Sequence, residues 1–308
     1  MKNLVFITLL LFLASCSKEQ KTIQEKLGYS IDSKLLIIHA DDFGMCHSEN
    51  MATIKGIEEG MVNSTSAMVP CPWFHEAAAY AKNNPKADIG IHLTLTNEWG
   101  KYHWGPVSDS KEVPSLINSN GYMHEECQDV SKNAKAEEVE KELRAQIDKA
   151  IALGLNPTHF DSHMGCLFWD SEDIFKIYIK LGKEYNVPIL LNEGFFSYLT
   201  EGENYSDRFL KYLDDDDLVI VKKVMMNPNK RTRKEIFKYY DDELTSLEPG
   251  LNVMLLHLGY DDEELQGITA LAKNRQWDLE YYTSEKCKKI LKDNNIKLVT
   301  WREVGQVM

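Results

Sequence analysis

The sequence has few cysteines, and no two of them form a Cys-x-x-Cys pair. One of the six, Cys16, ends the N-terminal apolar region, and the other five are scattered along the chain (Cys46, Cys71, Cys127, Cys166 and Cys287). Without closely spaced pairs we do not expect a zinc knuckle. A disulfide is compatible with this count, but the spacing does not indicate which two cysteines would pair.

Positive charge is also scarce. The chain carries 35 Lys and Arg against 48 Asp and Glu, a formal net charge of -13. A protein that binds nucleic acid needs a basic face for the phosphates, so this balance argues against a nucleic-acid partner. No internal repeat is apparent.

Beyond its first 15 residues the chain has no long apolar run. Residues 1–15 combine a lysine near the start with the apolar stretch LVFITLLLFLA. This length is typical of a signal peptide and short for a membrane span. The segment LASC, which ends at Cys16, resembles a bacterial lipoprotein signal. We predict cleavage before Cys16, a lipid on its thiol that contacts the membrane, and a location in the cell envelope. The alternative is an ordinary secretory signal in which Cys16 is incidental.

The remaining chain is predicted to be a polar tether, 16–32, followed by one domain, 33–308. Within that domain, short apolar runs alternate with helical patterns. The predicted strands are 35–40, 62–69, 88–95, 158–163, 187–191, 218–224, 251–258 and 296–301, and the predicted helices are 48–60, 73–83, 136–154, 171–185, 232–247 and 284–294. Such alternation implies a parallel sheet with right-handed crossovers. Eight strands predict a single α/β domain with an irregular (β/α)-barrel-like fold, and a doubly wound open sheet is the alternative.

Acidic and imidazole side chains gather where four of these strands end. They are His39, Asp41, Asp42, His92, Asp161, His163 and His257. Both candidate architectures place ligands at the carboxyl ends of their strands. One carboxylate and two neutral imidazoles, with open positions for water, are typical of a catalytic site for a divalent cation.

Spacing assigns different tasks to neighbouring groups. Successive side chains of an extended chain point in opposite directions, so Asp41 and Asp42 are expected to play different roles, one at the metal and one in proton transfer. His159, Asp161 and His163 alternate along one strand and are expected to face the barrel interior. Two of the three would then orient the third, and His159 lies deepest along the strand.

Several motifs together resemble the YdjC-like carbohydrate deacetylases. The matching segments, in chain order, are HADDFG (39–44), VNSTSAMV (62–69), GIHLTLT (90–96), VPSL (113–116), THFDSH (158–163) and HLGY (257–260). The resemblance covers most of the chain, from about residue 35 to 301. It implies a (β/α)-barrel-like fold related to polysaccharide deacetylases, and an enzyme that removes N-acetyl groups from amino sugars or oligosaccharides.

The resemblance also implies roles for individual residues. Asp42, His92 and His163 match the family's ligands for one divalent metal ion, Mg²⁺ or Zn²⁺, and Asp41 matches the catalytic base. His257 matches a late histidine expected to act as a general acid or oxyanion partner. Asp161, His159 and His39 are expected to support these groups.

Three features depart from the family or extend it. His39 stands where the family commonly has Asn, which changes the hydrogen bonds available to the aspartates. Gly165 stands where the family often has a second histidine after the DSH motif. The loop at 97–123 carries Trp99, Tyr102 and Trp104, which are predicted either to stack on sugar faces or to pack the loop onto the barrel.

The sequence leaves two other functions open. A surface lipoprotein that binds carbohydrate without turnover is one alternative, favoured by Gly165 and disfavoured by the retention of both aspartates. A metal-dependent O-acetyl esterase would use the same site. The sequence is also compatible with a homodimer, and it does not determine the sugar or the native metal.

Overall fold

The first long strand, β1 (Lys34–Phe43), is at the centre of a parallel sheet. The structure, a computed structural model, describes residues 21–168, 171–192, 218–229 and 231–308. The further strands in these ranges are β2 (Ser64–Ala67), β3 (Ile89–Leu93), β4 (Phe160–Ser162), β5 (Leu191–Asn192), β6 (Ile220–Val221), β7 (Lys223–Met226), β8 (Gly250–Leu256) and β9 (Lys297–Leu298). Every pairing between them is parallel, as predicted.

In the sheet, β1 lies between β2, from the N-terminal half of the chain, and β8, from the C-terminal half. The main path is β4-β3-β2-β1-β8-β7, with β9 paired to the start of β1 and with β5 and β6 paired to each other. An isolated bridge between Phe160 and Ile189 connects the β4 end of this path to the segment before β5. The carboxyl ends of β1, β3, β4 and β8 therefore lie at one edge, where the sequence analysis placed the site.

Side-chain contacts show that the sheet is strongly curled. Neighbouring strands lie about 4.8 Å apart, so β1 and β4 would be about 14 Å apart in a flat sheet. Nevertheless, Nε2 of His39 on β1 lies 2.9 Å from Oδ2 of Asp161 on β4. The strands curve around a common interior, which confirms the barrel-like α/β prediction; the flat, doubly wound alternative is wrong.

The helices cover the outside of this curled sheet. They are α1 (Ile23–Lys26), α2 (His47–Glu59), α3 (Phe74–Asn83), α4 (Cys127–Asn133), α5 (Ala136–Ala152), α6 (Glu172–Tyr185), α7 (Arg233–Thr245), α8 (Glu263–Ile268), α9 (Ala272–Tyr282), α10 (Glu285–Asp293) and α11 (Trp301–Gly305). All six predicted helices are present within two residues of their predicted bounds. None of the helices in the described ranges has the length and apolar character needed to cross a bilayer.

The alternation along β1 separates the core into an inner and an outer part. Leu35 and Ile37 face an inner cluster that includes Trp301, whereas Leu36 and Ile38 pack in an outer cluster with α7, α9 and α10. The inner residues fill the bottom of the barrel with apolar side chains. His39, the next inward residue, begins a polar layer above them.

Two sequence predictions concern residues at the edges of the described ranges. Cys16 and the predicted signal peptide lie outside the described residues, so lipidation stays a prediction. Part of the predicted tether is described: Thr22 caps α1, and Ile23, Leu27 and Tyr29 pack against the inner cluster. The boundary at residue 33 also stays a prediction.

The structure identifies a disulfide pair that the sequence left open. Cys127, at the start of α4, is bonded to Cys166, with 5.0 Å between their Cα atoms. Cys166 follows His163 by three residues, so the bond ties the turn after β4 to the segment before α5. Cys46, Cys71 and Cys287 are buried free thiols.

Candidate metal centre

A local irregularity at the end of β1 brings both aspartates to the site. The pairing of β1 with β2 shifts register between Ala40 and Phe43, and Asp42 has a left-handed backbone with φ 64°. Asp residues adopt this conformation more readily than most. Strict alternation would turn Asp42 away from the interior, but the bulge re-aims its carboxylate. Gly44, also left-handed at φ 96°, completes the turn.

Three predicted ligand residues come together above this turn. Asp42 Oδ1 lies 3.6 Å from Nε2 of His92 and 3.5 Å from Nδ1 of His163. All three side chains are buried. The same three residues form a group whose ligand atoms lie within 4.8 Å of one another.

The distances between these atoms are better explained by a shared cation than by direct hydrogen bonds. Asp42 Oδ1 is buried and accepts no hydrogen bond from any described residue. Its distances to the two imidazole nitrogens are too long for good hydrogen bonds. Two ligands bound about 2.0–2.1 Å from a tetrahedral ion are separated by about 3.3 Å, close to what is seen here. The donor set, one carboxylate and two imidazoles, also suits a divalent metal.

Each imidazole is held through its other nitrogen. His92 donates from Nδ1 to Oδ1 of Asp161 at 2.8 Å, and His163 donates from Nε2 to Oε2 of Glu98 at 3.0 Å. The sequence analysis expected two of His159, Asp161 and His163 to orient the third, but the contact that holds the His163 ring comes from Glu98. Asp161 orients His92 instead, since β3 and β4 pair with His92 opposite Asp161.

Arg275 holds the other oxygen of the Asp42 carboxylate. Its Nη1 donates to Asp42 Oδ2 at 2.9 Å and lies 2.5 Å from Oε1 of Glu49. The guanidinium also lies over the ring of Trp99, 5.3 Å from its centre. Burial by itself would raise the pKa of Asp42, but the charge of Arg275 and the nearby His163 hold that pKa well below its usual value. The carboxylate is therefore ionised, with one oxygen fixed and the other facing the imidazoles.

Asp41 contacts a different group of residues. Its Oδ1 lies 3.0 Å from Nε2 of His39, which also lies 2.9 Å from Asp161 and 3.1 Å from the hydroxyl of Ser66. Burial lowers the pKa of His39, but hydrogen bonds to Asp161 and Asp41 outweigh it and raise that pKa to about 10. His39 is thus a buried cation between two carboxylates, an arrangement that an Asn at this position would not provide.

His159 lies below the metal group (Asp42, His92 and His163) and makes no hydrogen bond, ion pair or ring contact with these three residues. Its ring stacks on Trp301 at 5.3 Å and approaches that of His39 at 4.9 Å. Burial and the positive charge of His39 keep the pKa of His159 well below its usual value, so the ring is neutral. His159, His39 and Asp161 form a further close group of potential ligand atoms. This placement at the bottom of the polar layer matches the expectation that His159 lies deepest.

The two imidazoles of the metal group have raised pKa values. Burial lowers the pKa of His163, but Glu98 and Asp42 outweigh it and raise the value to about 10. The pKa of His92 is also raised, because Asp161 and Asp41 outweigh the effect of burial. A metal ligand must be a neutral imidazole, so binding of a cation would release protons from this site.

His257 follows β8, and the charges of Asp42 and Arg275 act on its ring. Burial and the charge of Arg275 lower its pKa, although Asp42 acts in the opposite direction. Its backbone N–H faces Oδ2 of Asp278 at 3.5 Å, and Asp278 also accepts hydrogen bonds from Tyr240 and Asn227. A lowered pKa favours the neutral imidazole at neutral pH.

The aromatic loop packs closely against the site. The Trp104 side chain is only 3% exposed, and its indole N–H donates to the carbonyl of Thr96. A ring buried in this way has no open face for a sugar, so the prediction of stacking by Trp104 is corrected: it packs the loop edge-on to His163. Trp99 and Tyr102 are half-buried. Tyr102 donates to the carbonyl of Met45 at 2.6 Å, and their contact with substrate stays a prediction.

The turn after His163 is unusual where the family often has a second histidine. Met164 and Gly165 both have left-handed backbones, at φ 52° and 73°. Met164, not Gly165, offers an exposed side chain there, 38% accessible. Gly165 itself provides no side-chain contact, as the sequence indicated.

Two residues of the site were missed from the sequence. Arg275 lies on α9, which has buried polar residues and no clear apolar stripe, so the helix itself was not predicted. Glu98 lies in the loop beside Trp99, where the sequence predicted roles only for the aromatic residues. A charged residue two positions after the GIHLTLT motif was the available signal for Glu98; no comparable signal marks Arg275.

Comparisons with known proteins agree with the motifs. The family model of YdjC-like proteins matches residues 35–293. A carbohydrate deacetylase of Brevibacillus brevis is 33% identical over 278 residues, covering 88% of this chain and 99% of the relative. A carbohydrate deacetylase of Thermus thermophilus is 29% identical over 287 residues, covering 92% and 98%.

A solved structure shows the same architecture. A protein of Enterococcus faecalis V583, described as a candidate cellobiose-phosphate cleavage protein, superposes with a TM-score of 0.72 at 25% identity. The similarity covers 88% of this chain and 99% of that one. The residues matched by the family model, 35–293, include Asp41, Asp42, His92, His163 and His257. This chain belongs to the family of YdjC-like proteins.

Proposed function

We propose that this protein is a metal-dependent carbohydrate deacetylase that removes acetyl groups from N-acetylated amino sugars or oligosaccharides. The observation that carries the proposal is the buried Oδ1 of Asp42, which has no hydrogen-bond donor and faces Nε2 of His92 and Nδ1 of His163. Full-length relatives named carbohydrate deacetylases support the substrate class.

Asp42, His92 and His163 would hold one divalent cation, Mg²⁺ or Zn²⁺. When bound, such an ion supplies Lewis acidity to the acetamide carbonyl and makes water a stronger acid. Arg275 and Asp161 keep two of these ligands in place through Asp42 Oδ2 and His92 Nδ1. The side chains are thus positioned before substrate arrives, which lowers the reorganisation that catalysis requires.

Asp41 is the proposed base. It stands next to Asp42 on β1, but its carboxylate contacts His39 and not the metal group's imidazoles at hydrogen-bond distance. His39 holds this carboxylate in place. Asp41 then accepts a proton from the water that attacks the acetyl carbon.

His257 is proposed to assist at the carbonyl oxygen. Its lowered pKa favours a neutral ring, which can donate an N–H hydrogen bond to the developing oxyanion. This suits the oxyanion role better than that of a pre-protonated general acid. The C–N bond then breaks, the amine receives the proton that was taken from water, and acetate is released.

Acetate release from a panel of N-acetylated glucosamine oligomers tests the proposal. We expect release by the wild type, its loss with a chelator and recovery on adding metal, and a large loss in Asp41→Asn with metal binding retained. Parallel O-acetylated sugars separate the amidase from an esterase. Metal-loaded protein that cleaves no N-acetyl substrate would refute the proposed reaction, and glycan binding without turnover would favour the silent binder.

We also propose that the mature protein is anchored by a lipid on Cys16. The support is the sequence alone, since this segment lies outside the described residues. Radiolabelled palmitate should label the wild type and not Cys16→Ser. Equal labelling of both, or none of either, would contradict the proposal.

A further inference from the structure

Glu98 contacts the His163 ring on the side away from Asp42. It follows β3 by five residues and its Oε2 lies 3.0 Å from Nε2 of His163. The His163 ring is almost fully buried, and the Glu98 side chain is 24% exposed. The opposite ring nitrogen, Nδ1, faces Asp42.

We propose that Glu98 is a positioning residue that makes Nδ1 of His163 the metal-binding atom. The inference rests on the metal site of the proposed function and adds the identity of the ligand nitrogen. An ionised carboxylate can only accept hydrogen bonds, so Nε2 must carry the proton in this pair. In a neutral ring the lone pair is then at Nδ1, the nitrogen that faces Asp42 Oδ1.

The two imidazoles of the site would therefore bind metal through different nitrogens. Asp161 accepts from Nδ1 of His92, which leaves Nε2 of that ring as the ligand atom. Glu98 accepts from Nε2 of His163, which leaves Nδ1. A carboxylate behind each ring fixes its tautomer and orientation and strengthens it as a donor to the cation.

The loop around Glu98 is itself held firmly. The backbone N–H of Asn97 donates to the carbonyl of His124 at 2.7 Å, and its side-chain amide donates to the carbonyl of Tyr102 at 3.1 Å. On the other side, the Trp99 ring lies against Arg275, the partner of Asp42. Glu98 and Trp99 thus act on two different metal ligands, and the position of the loop is coupled to the geometry of the metal site.

Zinc titration by calorimetry tests this role directly. Glu98→Ala should bind zinc about 10–100-fold more weakly than the wild type, the range found when such carboxylate partners are removed. Glu98→Gln should lose less, because its amide oxygen can still accept from Nε2. Glu125→Gln, an exposed carboxylate of the same loop region, is the matched control and should change the affinity less than twofold.

A spectroscopic measurement identifies the nitrogen. In zinc-loaded protein labelled with ¹⁵N-histidine, we expect one ligand histidine bound through Nε2 and one through Nδ1, with the Nδ1-bound signal altered in Glu98→Ala. Coordination of both rings through Nε2 would overturn the inference.

The outcomes also separate this inference from the proposed function. If His163→Ala loses zinc affinity while Glu98→Ala binds as the wild type does, the positioning role is refuted and the metal site stands. If Glu98→Ala raises KM for the sugar without weakening zinc binding, Glu98 contacts substrate and the inference is again refuted. Wild-type protein that binds no zinc or magnesium would refute the metal site and this inference with it.

Discussion

Asp161 connects His92 of the metal group to His39, and its replacement by Asn is the most informative perturbation. Its Oδ1 accepts from His92 at 2.8 Å, and its Oδ2 accepts from His39 at 2.9 Å and from Ser66 at 2.7 Å. The side chain is 2% exposed, so water cannot replace a lost partner. An Asn offers one oxygen and one NH₂ group in place of the two oxygens. Whichever way the amide is turned, its NH₂ group therefore faces a donor, either His92 on one side or His39 and Ser66 on the other.

The expected cost follows from that mismatch. Removing one member of a buried ion pair typically costs about 3–5 kcal/mol, because the remaining charge is left without compensation. Here His39 keeps Asp41 as a second partner, so we expect the lower part of this range. If the amide turns its NH₂ toward His92, that ring loses the acceptor that fixes Nε2 as the ligand, and zinc affinity should fall about 10–100-fold.

Urea unfolding and zinc titration of Asp161→Asn measure both effects. Asp293→Asn is the control: its carboxylate is in an exposed helix ion pair with Lys289, and such pairs contribute about 0.2–1 kcal/mol. A loss of stability in Asp161→Asn no larger than in this control, together with unchanged zinc affinity, would show that the carboxylate does not hold the site together.

Three further predictions test the surrounding structure. Gly90→Ala should destabilise the fold by about 1–3 kcal/mol in urea unfolding, because a Cβ there would lie 2.4 Å from the buried ring of His159; an unchanged midpoint would refute this packing. Burial raises the pKa of Asp278 to about 7, so the protonated form stabilises the fold. This stabilisation is present below pH 4 and is lost as the pH rises to 7, with a loss of up to about 4 kcal/mol. The stability of Asp278→Asn should therefore fall less over this pH range than that of the wild type; parallel pH profiles of the two proteins would contradict this role of Asp278. Reduction of the Cys127–Cys166 disulfide opens a loop of 39 residues and should lower the free energy of unfolding by about 2–4 kcal/mol. Equal stability with and without reductant would show that the disulfide does not stabilise the fold.

Much of the candidate site was predictable because the signals for strands are local. Short apolar runs at 35–40 and 88–95 identified two of the strands, and parallel connectivity placed their polar ends at one edge. The roles expected for Asp42, His92 and His163 stay predictions, although the structure brings these residues together. The sequence left Trp104 either stacking on a sugar or packing the loop, because an aromatic residue in a loop looks the same in sequence whether its ring is open or buried.

Residues far apart in sequence could not be assigned partners in this way. Arg275 meets Asp42, 233 residues away, and lies on a helix without an apolar stripe. Glu98 meets His163 only because the loop after β3 folds back over the turn after β4. The register shift after Ala40 that re-aims Asp42 also depends on pairing with β2, which local sequence does not encode.

The sequence by itself determined the order of strands and helices, the edge at which the site lies and the family, because these depend on short periodic patterns and motifs. The tertiary structure decided which atoms meet: the curl that brings β4 to β1, the carboxylate behind each imidazole, and the Cys127–Cys166 pair. The physical reason is that a side chain's partner is set by the curvature of the sheet and the packing of distant segments. Those are properties of the whole chain and not of any window within it.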